Sequence, residues 1–473
     1  MSDATLAGRV DLAVIGGGIA GMIAANRAAE MGLRTAVLEK GAEDRYLCNS
    51  RFTGGVFHVA FHNPMRPAAD LRRIIDAATE GAADPAMAEA LATHLAPTIR
   101  WLQSEGIRFI KAGPAEWQDF ILSPPQYPRA GLHWPGRGGD VLLRTLEQRL
   151  LERGGRRVRG CRVVGLARDE DGFALDLLRD GRPSTLAAPA VVIADGGFQG
   201  NPAMLEAHVT KNPQALRQRG AGTGCGDGFR LASAIGAAVV PSGQFYGHVL
   251  SRDSLRNDKL WPYPWIDDLA GAGIVVDGAA RRFADEGRGG VVLANAIARL
   301  ADPSTAIAIF DDAIWRGVGT DMLIPANPLL EVHGCEIHAA GTVDALAASL
   351  GLDPVALRET VDLYNGALAA GRLDTLVPPR EQRRFASKPI VSPPFRAVRV
   401  CAGITYTMGG IAIDGASRVL DTQRQPIRGL YAAGATTGGL EGGEAVGYVG
   451  GLTKSAVTGF LAGETAAKET IRS

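Results

Sequence analysis

The chain has 473 residues, 46% hydrophobic and 21% charged, proportions that support a sizeable core and exclude a disordered or fibrous protein. Lysine plus arginine and aspartate plus glutamate both number 50, so the formal net charge is zero and the chain lacks the basic excess that non-specific nucleic-acid binding requires. Glycine is the strong deviation, 61 residues with no Gly-x-y period, about 13% against a usual value of roughly 7%, which implies backbone in close approach to something.

An apolar run at residues 10–15 predicts a buried strand that stops at Gly16-Gly17-Gly18-Ile19-Ala20-Gly21, and the alanine-rich stretch 22–30 predicts a helix. Residues 35–38 read as a second buried strand ending in Glu39, which completes a βαβ unit. Between 68 and 110 alanine-rich helical patterns alternate with breaks, and a Pro/Gly-rich loop follows at 123–139, so a helical insert is expected over about 68–139. Short β runs from 162 to 193, punctuated by Asp171-Gly172 and Asp180-Gly181, predict an antiparallel meander. Residues 190–194 then read as a buried parallel strand stopping at Gly196-Gly197. After about 240, aromatic residues concentrate at Phe245-Tyr246-Gly247-His248 and Trp261-Pro262-Tyr263-Pro264-Trp265, marking a second domain. Near 390 the glycine-rich β pattern of the first domain returns, and a last helix starts near Thr453.

Gly16-x-Gly18-x-x-Gly21 sits between strand and helix, where its glycines permit a tight turn, close approach to a pyrophosphate and close helix packing. Glu39 can accept hydrogen bonds from an adenosine ribose, and its charge would repel a 2′-phosphate, which disfavours NADP. FAD is preferred over NAD because residues 429–434 and the glycines up to Gly451, followed by a helix, offer a second helix N-terminus for a long cofactor. The stretch 222–228 lacks a preceding apolar strand, so a second dinucleotide site is not expected. Five widely spaced cysteines form no CxxC pair, and the start of the chain fits neither a signal peptide nor a spanning helix, so a cytoplasmic protein with free thiols is expected. No His/Cys/Asp/Glu cluster has metal spacing and no Gly-x-Ser-x-Gly elbow is present, which leaves hydrolase and metalloenzyme chemistry without support.

These motifs, with Asn49-Ser50, Thr53-Gly54-Gly55, Ala194-Asp195-Gly196-Gly197-Phe198, Gly226-Asp227-Gly228, Arg282-Phe283-Ala284-Asp285-Glu286 and Thr407-Met408-Gly409-Gly410, occur in the order of the fumarate reductase and succinate dehydrogenase flavoprotein superfamily. The chain resembles that superfamily over nearly its whole length, and is most similar within it to tricarballylate dehydrogenase-like proteins. The resemblance implies an α/β fold: a Rossmann-like, glutathione-reductase-type FAD-binding domain with an inserted α+β capping domain. The expected spans are 1–241 for the first part of the FAD domain, 242–384 for the cap and 385–473 for the C-terminal part. FAD held noncovalently is implied, with contacts from Gly16, Gly18, Ile19, Ala20, Gly21, Glu39, Lys40, Asn49, Ser50, Thr53, Gly54, Gly55, Val163, Ala194, Asp195, Gly196, Asp227, Gly434, Ala435, Gly451 and Leu452. Ala435 stands where the family has a glutamate. Tyr406 and the stretch 444–447 stand where soluble fumarate reductases carry a histidine and an arginine that grip substrate carboxylates, which argues against fumarate itself.

The implied chemistry is dehydrogenation or reduction of a CH–CH bond beside a carboxylate or ketone, with an α-proton transfer supplied by the protein. Candidate catalytic residues are Tyr406, Arg288 and Tyr448; candidate substrate-binding residues are His248, Arg51 and Thr405. A small-molecule carboxylate or ketone and an unidentified electron donor or acceptor are the expected partners. A cyclic-ketone desaturase, with Tyr406 and Tyr448 on the enolate, is the second enzyme reading, and a non-catalytic flavoprotein subunit is a third.

Overall fold

The computed structural model describes residues 10–321, 324–382 and 386–472. Among them a six-stranded sheet runs in the order Arg418–Leu420, Pro426–Ala432, Ala190–Ile193, Leu12–Ile15, Thr35–Leu38, Arg156–Val158. Its strands are parallel except for the edge strand Arg418–Leu420. Leu12–Ile15, Thr35–Leu38 and Ala190–Ile193 are buried at every position, which is why they read as continuous apolar runs: helices cover both faces of a parallel sheet. Helix Ile19–Glu30 packs against the last helix, Gly451–Arg472. Cβ atoms at Gly459 and Gly463 would lie 2.4 and 2.3 Å from the Ala20 and Ala24 carbonyl oxygens, so only glycine allows this crossing.

Within residues 68–139, where a helical insert was expected, lie helices Ala68–Thr79 and Pro85–Ser104, and the loop at 123–137 leads into helix Gly138–Glu152. Strands Cys161–Asp169, Gly172–Arg179 and Arg182–Ala188 form the antiparallel meander. Asp180 and Gly181 have φ of 49° and 75° at its second turn, the left-handed pair that an Asp-Gly hairpin demands.

A second sheet is organised by the 13-residue strand Phe395–Thr407, which pairs with Arg217–Gln218, Phe245–Ser251, Ile307–Asp311 and His338–Ala340. The hydrophobic core on this sheet extends from Phe198 to Ile404. That reaches past the expected 242–384 cap at both ends, and residues 395–407, assigned from sequence to the FAD domain, form the spine of the second sheet. A strand's pattern reports its period and burial, not the sheet it joins. The span ends at residues 1–9, 384, 385 and 473 lie outside the described residues. Among the described residues no helix is long and apolar enough to cross a membrane, and no three His, Cys, Asp or Glu side chains converge as a metal site.

Candidate active site

The glycine turn leaves the main sheet at the carboxyl end of Leu12–Ile15. Gly16 has φ of 103° and donates its N–H to the Leu38 carbonyl at 2.9 Å; a Cβ there would lie 2.6 Å from the Ala194 oxygen, and one at Gly21 only 2.0 Å from the Gly16 oxygen. Ser50 Oγ accepts the Ile19 N–H at 2.9 Å, fixing the start of the helix. Glu39 is buried and accepts the N–H groups of Gly17 at 2.8 Å and Gly41 at 2.7 Å. Burial raises its pKa, and these two amides oppose the rise. Tyr46, not anticipated from sequence, donates its hydroxyl to the Gly17 carbonyl at 2.7 Å.

Across the turn, Lys40 Nζ donates to the Thr223 carbonyl at 2.5 Å and lies 3.6 Å from Asp227. Burial acts against ionised Asp227, but Arg162, Lys40 and Arg230 hold its carboxyl below the usual range. Asp195 Oδ2 accepts the Gly228 N–H at 2.7 Å, and burial pushes its pKa up to about 6.

A cavity of about 620 Å³ runs from this turn to the aromatic residues of the second sheet, within the range of small-molecule sites. Of the residues expected to contact FAD, all but Gly21 line it; Gly21 serves helix packing instead. Among the described residues Asp195 Oδ1 and Gln199 Oε1 are buried on its wall without a hydrogen-bond partner, acceptors that a ligand with hydroxyl or N–H donors would satisfy. A glycine cradle, a carboxylate at the ribose end and unpaired acceptors suit FAD.

At the other end, Tyr246 and His248 project from Phe245–Ser251. Between Tyr246 and Gly247 the pairing shifts register, so that Thr405 becomes an extra residue on the facing strand, and such bulges re-aim side chains. A Cβ on Gly247 would sit 1.9 Å from the Gly403 oxygen, so glycine alone allows the strands to approach. His248 Nδ1 lies 2.5 Å from Asp267, whose other oxygen accepts the Val249 N–H at 2.7 Å. A nitrogen facing a carboxylate carries the proton, leaving Nε2 to accept the Tyr246 hydroxyl 3.0 Å away. The Trp265 ring stacks on His248 at 4.2 Å, and Tyr448 stacks on Tyr246 at 3.9 Å. Tyr246, His248, Asp267, Tyr448, Thr405 and Tyr406 all line the cavity.

Several expected roles change here. Tyr406 donates its hydroxyl to Glu441 at 2.9 Å, and burial with that carboxylate lifts its pKa far above the ordinary phenol value. It is therefore a protonated, engaged phenol and not a base. Glu441 also accepts the Val449 and Gly450 N–H groups and lies 3.5 Å from buried Lys454, so it ties the last glycine loop together. Tyr448 faces the cavity with its pKa raised, chiefly by burial. His248, expected to bind an acidic group, has its ring nitrogens engaged by Asp267 and Tyr246.

Arg288 is absent from the cavity wall and pairs with Glu80 at 3.0 Å. Arg51, also off the wall, is completely buried against Asp140 and donates to the Tyr46 carbonyl at 2.8 Å. Arg288 was expected at the reacting centre from its place after Asp285-Glu286, and Arg51 as a group that binds a substrate acid; folding supplies each with a carboxylate of its own. Sequence reading missed Asp267, Glu441, Lys454 and Arg219. Glu441 had one visible signal, an acid within a glycine-rich loop that it shares with Glu444, whereas Arg219 meets Thr405 from 186 residues away.

Residues 11–447 match the FAD binding domain family. The chain is 28% identical over 389 residues to a probable fumarate reductase of Shewanella frigidimarina, covering 80% of this chain and 61% of that protein, so it spans about three fifths of that relative's length. It is 25% identical over 468 residues to a vinyl phenol reductase of Lactiplantibacillus plantarum, covering 91% of this chain and 90% of the relative. In fold it resembles a 3-ketosteroid delta1-dehydrogenase from Sterolibacterium denitrificans, with a TM-score of 0.74 at 21% identity over 97% of this chain and 99% of that one.

Proposed function

The chain belongs to the FAD binding domain family, and from that premise we propose that it is an oxidoreductase that uses noncovalently held FAD to form or reduce a CH–CH bond beside a ketone or carboxylate. One observation carries this reading: Tyr246, its hydroxyl backed by His248 and Asp267, lines the same cavity as the residues that would hold FAD. Bound FAD supplies the exchange of two electrons with the substrate's carbon–carbon bond. In the oxidative direction the α proton passes to Tyr246 Oη while the phenolic proton moves to His248 Nε2. Asp267 orients the ring and stabilises the imidazolium. The same path run backwards delivers a proton in reduction. Tyr448 holds the Tyr246 ring by stacking, and Trp265 covers His248, which limits water at the relay. A separate electron donor or acceptor completes the cycle, and the five free cysteines support a cytoplasmic setting.

The test is an anaerobic titration of the flavin band against saturated carboxylates and cyclic ketones, with the reduced protein offered the unsaturated counterparts. Bleaching by one compound, or reoxidation by one, supports the reading; a flavin that answers to neither set refutes it. Tyr246, Trp265, Tyr448, Phe61 and Trp117 on the wall favour a cyclic substrate, so desaturation of a cyclic ketone is the second reading. Turnover of open-chain carboxylates alone would eliminate it.

A further inference from the structure

We propose that Arg219, with Thr405, is the docking site for a carboxylate of the substrate, an inference that rests on the oxidoreductase reading and names its substrate class. Arg219 follows the short strand Arg217–Gln218, and its amide N–H donates to the Ile404 carbonyl at 2.7 Å. The side chain crosses Gly403, where a Cβ would lie 2.4 Å from Arg219 Cδ, so glycine is what lets the guanidinium lie along this strand. It lines the cavity and is only 8% exposed.

The charge balance of the wall singles this residue out. Lys40 and Arg162 share Asp227, and Lys454 has Glu441. Arg219 has no carboxylate partner among the described residues. One terminal nitrogen donates to Thr405 Oγ at 2.8 Å, the other reaches the Pro262 carbonyl at 3.4 Å, and Nε has no partner. A buried guanidinium without a counter-ion is unfavourable, and its planar fork matches a carboxylate. A ligand carboxylate would therefore both neutralise it and satisfy Nε. Thr405 accepts from Arg219 with its oxygen and keeps its hydroxyl proton to donate to the same anion. Tyr406, the next residue, pairs across the strands with Tyr246, so an anion at Arg219 lies one strand position from the proposed proton relay.

The test is equilibrium binding of cyclohexanecarboxylate and of its neutral isostere cyclohexanecarboxamide to the holoprotein, read as perturbation of the flavin spectrum. The wild type is expected to bind the carboxylate at least about tenfold more tightly than the amide, since a hydrogen bond to a charged group carries that much. Arg219→Gln should abolish the preference and leave amide affinity and FAD content unchanged, Arg219→Lys should keep part of it, and Thr405→Val should weaken carboxylate binding a few-fold. A wild type without preference, or an Arg219→Gln protein that retains it, overturns the proposal. So does an Arg219→Gln protein that loses FAD while its remaining holo fraction still prefers the carboxylate, for then the guanidinium serves the cofactor. If Arg219→Gln does not fold, Arg219→Lys and Thr405→Val decide in the same way. A wild-type preference combined with a flavin that no compound bleaches or reoxidises would refute the oxidoreductase reading and leave the anion site standing, so the two failures are separable.

Discussion

Gly16 and Tyr246 line one cavity, but the walls around them are built on different principles. The glycine turn is a backbone construction: its tolerances are set by carbonyl oxygens 2.0–2.6 Å from where a Cβ would sit, one in the same turn at Gly16 and one on the neighbouring strand end at Ala194. The aromatic corner is a side-chain construction, in which Tyr246, His248, Asp267, Tyr406, Glu441 and Tyr448 meet from four separate segments through hydrogen bonds and stacked rings. The difference predicts how each wall fails. The first should fail by steric exclusion, losing cofactor and stability together, and the second by loss of proton transfer on an intact holoprotein.

The largest effect expected is from Gly21→Ala, whose methyl would press on the Gly16 carbonyl. The holoprotein should lose bound flavin and at least about 1–3 kcal/mol of stability, read from flavin absorbance and a thermal melt. Tyr246→Phe comes next: kcat should fall by about 10²–10⁴-fold with the flavin spectrum and melting temperature near wild type. A Tyr246→Phe enzyme with wild-type kcat would remove the relay.

Tyr406→Phe sharpens the contrast within the corner. Because its hydroxyl serves Glu441, the change should cost about 1–3 kcal/mol by leaving a buried carboxylate short of a donor, while kcat changes less than a Tyr246 change does. The smallest effects are expected away from both reacting ends. Arg288→Ala breaks a half-exposed pair with Glu80, worth about 0–1 kcal/mol, and should leave kcat/KM unaltered. Asp195 gives a pH test on the glycine wall. Its folded pKa near 6 lies above the unfolded value of about 3.9, so the native state holds the proton more tightly and wild type loses stability as pH rises through that window. Asp195→Asn should therefore gain melting temperature relative to wild type between those pH values, and a constant difference across the window would contradict it.

What the sequence determined by itself is local. The βαβ unit follows from apolar runs bounded by glycine, Glu39 from its place at the end of the second strand, and the meander from Asp-Gly pairs that only a left-handed turn accommodates; each signal spans a few tens of residues, because backbone sterics and hydrogen-bond period act at short range. Tertiary structure alone decided the charges and phenols. Arg51 meets Asp140, Arg288 meets Glu80 and Tyr406 meets Glu441, pairings that no spacing encodes. Each polar group is satisfied by whichever partner the packed sheets bring within about 3 Å, so the arginines that look available for an anion are already neutralised. Arg219, inconspicuous in the sequence, is left buried without a carboxylate among the described residues. The strand Phe395–Thr407 shows the same limit at larger scale: its residues announce a strand, and only the packing of two cores decides that it joins the second sheet.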